Sequence, residues 1–289
     1  MIVTTIRARG LIGPAMMLLG AVAIGFAPIG LRLSEFGPQA TALWRFVFAL
    51  PLLAIMIYAF GGRIRRPSVF AILAGVFFGL DMAFWHAALV RTSVANATFI
   101  VNLGNVAVGL LAWLVLKERP SRIWPVAVAI ALAGALMLSR GADNAHPGAL
   151  QGDLLALVAA VMVSLYLFFA KLARRRETAL NVIFWATVAE TVVAACATVG
   201  TGETLLPPDL SWFLAPLFLA IVAHGLGQTL IVSGVGRTPA ALAGLLILIQ
   251  PVTAALIAAP LFDEWLTLVQ LAGAALILCG VWLAGRSPV

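Results

Sequence analysis

Fifty residues near the middle of the chain recur near its end without a gap. Adding 146 to each number from Arg91 to Arg140 gives Arg237 to Arg286. Arg91-Thr92 then falls on Arg237-Thr238, Glu118 on Glu264 and Gly134 on Gly280, and 12 of the 50 aligned pairs are identical. Most of the others exchange one apolar residue for another. A stretch that is apolar on every side has no face to offer water, so both copies belong in lipid. Duplicated membrane helices are a common build of secondary transporters, whose substrate sites lie between the repeats. The duplication therefore favours transport over catalysis.

The composition agrees: 63% of the residues are hydrophobic and 10% charged, against roughly 45–50% and 25% in a soluble domain. A net charge of +7 and a pI near 10.7 could suggest a nucleic-acid partner. Nucleic-acid binding needs Lys and Arg clustered on one folded face, whereas here they stand singly or in short runs between apolar segments. Cys196 and Cys279 each sit inside an apolar run. Their spacing suggests neither a disulfide nor a metal site, and both read as small core residues.

A bilayer span needs about 20 apolar residues. Ten candidates fit, at 11–31, 39–60, 69–90, 95–116, 122–139, 153–173, 180–199, 211–233, 239–262 and 266–285, most of them bounded by charge, Gly or Pro. The polar stretch 140–152 separates five spans from five, so the expected units are 1–141 and 142–289. The first span resembles a signal peptide, with Arg7 and Arg9 before an apolar run and Ala21-Val22-Ala23. Its length and the matching span at 153–173 argue that it is retained.

Charge sets the expected orientation. With the N-terminus inside, fourteen Lys and Arg fall on the inner side, in groups around Arg7, Arg63–Arg66, Lys117–Arg122, Lys171–Arg176, Arg237 and Arg286. Arg32, Arg91 and Arg140 are the outer three. Both termini are thus expected in the cytoplasm, in a plasma (inner) membrane. An odd number of spans per half places the second half upside down, which makes the repeat inverted.

The stretch from Phe84 to Pro120, with Thr92-Ser93-Val94-Ala95-Asn96-Ala97 and Lys117-Glu118-Arg119-Pro120, carries a family resemblance. Its second copy has Gln250-Pro251-Val252 and Asp263-Glu264. Over essentially its whole length the chain resembles the drug/metabolite transporter superfamily, specifically the EamA family. The nearest likeness inside it is to the YddG-type exporters of aromatic and other amino acids. One departure stands out: family members often carry Pro in the middle of both the fourth and ninth spans. Here Pro251 is present but Asn105 takes the first-half position, so the halves are expected to flex unequally.

Polar groups at bilayer depth cost at least about 2.5–3.5 kcal/mol when unpaired, so they face protein or water. The candidates are Asp81, Trp85 and His86 on the third span, Asn102 and Asn105 on the fourth, His224 and Gln228 on the eighth, and Gln250 on the ninth. The resemblance implies that these spans, with the first and sixth, line a central cavity, to which Tyr166 and Phe168 add aromatic wall. The blander reading is that the amides bond neighbouring helices; Asn96 fits it best. Glu190 reads as a satisfied carboxyl on a peripheral seventh span. Arg45 reads as paired or snorkelling, and Trp124, Trp212 and Trp265 as an interfacial belt. Small residues in the fifth and tenth spans, including Gly134 and Gly280, permit close helix approach; oligomeric state is left open.

The expected fold is therefore all-α and integral to the membrane, with ten transmembrane helices in two inverted five-helix repeats. The expected function is alternating-access export of small metabolites, with apolar or aromatic amino acids as the substrate class, by facilitated diffusion. No metalloprotease, nucleophile-elbow or phosphate-loop motif occurs, so no enzyme, metal, cofactor or nucleotide is expected. The expected partners are a small-molecule substrate and the bilayer. Proton-coupled efflux is one alternative; an intramembrane sensor or structural role is another, though nothing about that last role requires an inverted repeat.

Overall fold

Lipid offers no hydrogen bonds, so each span must satisfy its own backbone. The computed structural model describes residues 2–92, 94–139 and 149–286, and these form helices and no strand. The first span is Ile2–Ile24 continued by Ala27–Arg32, followed by Pro38–Ala59, Val69–Leu89, Val94–Leu116 and Trp124–Ser139. The second half opens with Ala149–Ala173 and Ala179–Thr201. Its eighth span is composite, running through Leu210–Phe213, Leu214–Leu219, Ala220–Gln228 and Thr229–Val235. The ninth is Ala240–Ile247 with Ile249–Phe262, and the tenth Leu268–Gly285. Nine of these are long and apolar enough to cross a membrane. The fifth, at 16 residues, spans about 24 Å, short of a roughly 30 Å hydrocarbon core. Much of the stretch expected to divide the halves, including Arg140 and Asp143, lies outside the described residues.

Helix ends follow the local chemistry. Ser68, Thr178 and Thr267 accept from backbone N–H groups three residues on, and Thr267 with Gln270 completes a reciprocal capping box. Three glutamates cap helices to which they do not belong: Glu203 accepts from Ala40 N, Glu177 from Ser68 N and Glu118 from Ala240 N. Each places an anion on unsatisfied N–H groups at a span's start and ties one half to the other. The fourth and ninth spans end alike. Lys117 (φ 60°) and Asp263 (φ 57°) are repeat mates and the two described non-glycine residues in the left-handed region. The next N–H, of Glu118 or Glu264, then bonds back to Ala112 O or Ala259 O.

Asn105 and Pro251 produce the inequality expected between the copies. Pro251 has no N–H for the Ile247 carbonyl, and its ring crowds that carbonyl. The ninth span breaks at Leu248, whose N–H turns to Leu245 O at 3.1 Å. The fourth span, with Asn105 there, runs unbroken.

Every span's most extensive neighbour belongs to the other half: third with sixth, second with seventh, fourth with sixth and ninth, fifth with tenth, first with eighth. These pairings map onto one another when the halves are exchanged. Gly134 and Gly273 make the fifth–tenth contact close, because a Cβ on either would lie 2.5–2.6 Å from the other's carbonyl oxygen. The core is therefore shared between the repeats.

Candidate functional site

Arg45 on the second span is 5% exposed, and Glu190 on the seventh and His224 on the eighth are fully buried. His224 Nε2 lies 2.7 Å from Thr187 Oγ1 and 3.5 Å from Glu190 Oε2. Thr187 spends its one hydroxyl hydrogen on Ile183 O at 2.7 Å. It can therefore only accept from His224, which fixes the hydrogen on Nε2. The other ring nitrogen, Nδ1, is buried without a partner.

Aromatic rings enclose this group. Phe46 meets the His224 ring edge-on at 5.3 Å and Phe78 at 6.3 Å, and Phe78 packs on Tyr166 at 4.7 Å. Arg45 lies within electrostatic reach of Glu190, Tyr166, His86 and His224, and Asp81 within reach of Tyr166. Gln228 adjoins the Tyr166 hydroxyl, which makes no hydrogen bond of ordinary geometry. His224 and Gln228 belong to a nine-residue π-helical segment, Ala220–Gln228. Its wider turn is frequent at functional sites.

The polar atoms here are largely unsatisfied. Arg45 Nε and Nη2, Asp81 Oδ1, His86 Nδ1 and both Glu190 oxygens are buried without a hydrogen-bond partner. Arg45 and Glu190 form no ion pair, although opposite buried charges gain most by pairing. A core built for stability alone would close that distance or carry apolar residues.

Ionic groups also close the two ends. At one, Glu118 holds Lys171 at 2.9 Å and Arg175 at 3.8 Å, and Lys171 Nζ donates to Thr238 O at 2.8 Å. A cavity of about 460 Å³ adjoins them, lined also by Arg119, Trp124 and Arg237. Nearby Arg174 is pushed below its usual value by burial and then by Arg237, with Glu177 acting in the opposite sense. At the other end Glu264, repeat mate of Glu118, pairs with Arg32 at 2.7 Å, and both side chains are half exposed. The Arg32 guanidinium lies 3.9 Å from the Phe262 ring centre.

The EamA-like transporter family matches the chain twice, over residues 11–140 and 150–286. The chain belongs to the EamA-like transporter family. An uncharacterised transporter of Bacillus subtilis, YwfM, is 27% identical over 77% of this chain and 74% of its own. A probable amino-acid metabolite efflux pump of Salmonella typhimurium is 25% identical over 93% and 92%. A solved crystal structure superposes with a TM-score of 0.80 at 22% identity, covering 96% of this chain and 97% of that one, and shares the fold. This EamA-like protein is thus a multi-pass membrane protein whose family and relatives are transporters, not enzymes.

Within this EamA-like fold, Asp81, His86, Tyr166, His224 and Gln228 from the expected set come together around Arg45 and Glu190. Trp85 lies beside His86, the rings 5.2 Å apart and tilted by 41°, and packs beside Ala88, Ala97 and Ala156. Asn105 Nδ2 donates to Asn102 Oδ1 at 3.0 Å, so these two bond to each other. Half-buried Gln250 has its backbone carbonyl beside Gly25 of the first span. Asn96 donates to Asp153 at 2.5 Å, the interhelical bond expected of it.

Four expectations are corrected. The seventh span is not peripheral: it packs on the second and third spans, and Glu190 lies at that junction. Arg45 neither snorkels nor pairs. Trp124 is buried, donating to Ala241 O at 2.9 Å to fasten the fifth span to the ninth. Cys196 and Cys279 are exposed rather than core residues. The signal for Arg45 and Glu190 was present in the sequence, since mid-span charges are functional by default.

Proposed function

We propose that this protein is a secondary transporter that exports small metabolites, with aromatic or apolar amino acids as its substrate class. It works by alternating access between its two inverted halves. The single observation that carries the reading is the buried charged cluster at mid-span, where the second, seventh and eighth spans meet. The Salmonella relative's designation as a probable amino-acid metabolite efflux pump supports the substrate class. The proposed site residues are Asp81, Trp85, His86, Asn102, Asn105, Tyr166, His224, Gln228 and Gln250. The proposed location is a plasma membrane with both termini in the cytoplasm, where the basic inter-span segments would lie.

Net flux follows the substrate gradient in this reading. The test is counterflow of labelled phenylalanine and leucine into liposomes containing only this protein, with no pH gradient. Exchange without a proton gradient is expected; no counterflow of either overturns the reading. The Glu190–His224 contact favours a second reading, proton-coupled efflux, because a buried carboxyl beside an imidazole can exchange a proton. Accumulation above equilibrium that collapses with a protonophore establishes that second reading. For orientation, single cysteines at Arg63 and Asn144 in a chain lacking Cys196 and Cys279 are expected to label from opposite sides.

A further inference from the structure

Arg45 and Glu190, a base and an acid, are both buried and lie within electrostatic reach of each other without pairing. An ion left unpaired at such a site costs several kcal/mol. The two groups stand on different spans, the second and the seventh, whose packing joins the two halves. Around them stand Phe46, Phe78 and Tyr166, with Asp81, His86 and His224 in the same cluster. A guanidinium offers parallel N–H donors to a carboxylate, and a carboxylate accepts an ammonium.

We infer that Arg45 and Glu190 bind the two charged ends of an α-amino acid with an uncharged, preferentially aromatic side chain: Arg45 its carboxylate, Glu190 its ammonium. The inference rests on the amino-acid reading above for its ligand class, and it adds two residues to the site. Phe46 and Phe78 flank the ligand's side chain. Gln228 and Tyr166 supply further hydrogen-bonding groups, and the π-helical segment that carries Gln228 and His224 is the wall that yields when the site opens. The zwitterion matters because each of its ends satisfies one unpaired buried group, so a ligand missing either end leaves an ion uncompensated.

The test is calorimetric binding to the purified full-length protein, with phenylalanine, its methyl ester and N-acetylphenylalanine as probes. Phenylalanine is expected to bind about tenfold or more tightly than either derivative, the equivalent of one charge-assisted hydrogen bond. Arg45→Gln is expected to erase the preference over the ester, and Glu190→Gln the preference over the N-acetyl compound. The double variant R45Q/E190Q separates a ligand site from a structural pair. It regains wild-type binding if the two residues only compensate each other, which overturns the inference, and binds more weakly than either single variant if both hold ligand. Should the variants fail to fold, equal affinity of the wild type for the three probes, or none for any, overturns it. Selective binding without counterflow leaves this site standing while the transport reading falls. Counterflow of phenylalanine or leucine without selective binding does the reverse.

Discussion

The fourth and sixth spans form a pair, and the ninth and first form its counterpart when the halves are exchanged, yet they are joined very differently. The fourth and sixth are fastened along their whole length. Thr92 Oγ1 and Asn96 Nδ2 bond to Asp153 at one end, at 2.9 and 2.5 Å. Ser164 Oγ bonds to Gly104 O at 2.6 Å in the middle, and Glu118 grips Lys171 at the other end. Gly104 lies so close that a Cβ there would fall 2.0 Å from Ala160 O. Its repeat mate is Gln250, and the ninth span breaks two residues earlier. Thr238, mate of Thr92, leaves its buried hydroxyl unbonded, and the ninth–first contact is sparser. One fold unit therefore exists in a clamped and a loose version within one molecule. A transporter open to one side at a time needs its two halves to differ in each open state.

The comparison breaks most visibly at Gly104. Gly104→Gln gives the clamped copy the residue of the loose one. It is expected to cost more than about 3 kcal/mol, because Ala160 O is backbone and cannot move aside. Loss of the thermal transition or of folded protein in detergent checks it. Asn105→Pro writes the ninth span's break into the fourth and is expected to cost about 3 kcal/mol. Pro251→Ala, which mends the break, is expected to change the melting temperature little and to slow counterflow. Glu118→Gln leaves buried Lys171 without its counter-ion and is expected to cost about 1–2 kcal/mol. Glu264→Gln, at a half-exposed pair, is expected to cost about 0.5 kcal/mol or less. The smallest contrast is Thr92→Val, which removes a satisfied hydrogen bond worth about 1 kcal/mol, against Thr238→Val, which removes an unsatisfied hydroxyl and is expected to be neutral. Equal costs within either pair would mean that the two versions do not differ in rigidity.

Which residues could be read in advance follows from how local each signal is. Ten spans, the hairpins at Lys117 and Asp263, and the weakness at Pro251 are written within a few consecutive residues, in hydropathy, charge and a missing N–H. Asn96, Gly134 and Gly280 were legible for the same reason: a small or amide side chain on an apolar helix has few uses. Arg45 and Glu190 were visible as costly residues but not as neighbours. Their meeting depends on the second span packing against the seventh, a contact no periodicity encodes. Trp124 failed similarly, because a span-end tryptophan reads as interfacial until the start of the ninth span covers it. The Cys196 and Cys279 positions failed because an apolar span gives no sign of which face meets lipid.

The hairpin turns at Lys117 and Asp263 share a backbone but carry opposite charges. A left-handed turn asks nothing of the charge on its side chain, so these positions are free to carry an address. In the proposed orientation the cation stands on the side that retains cations and the anion on the side that does not. Two copies of one hairpin, opened by the same left-handed turn, are thereby told which way up to sit. Exchanging the two residues would leave each turn intact and set the halves voting for the wrong leaflet.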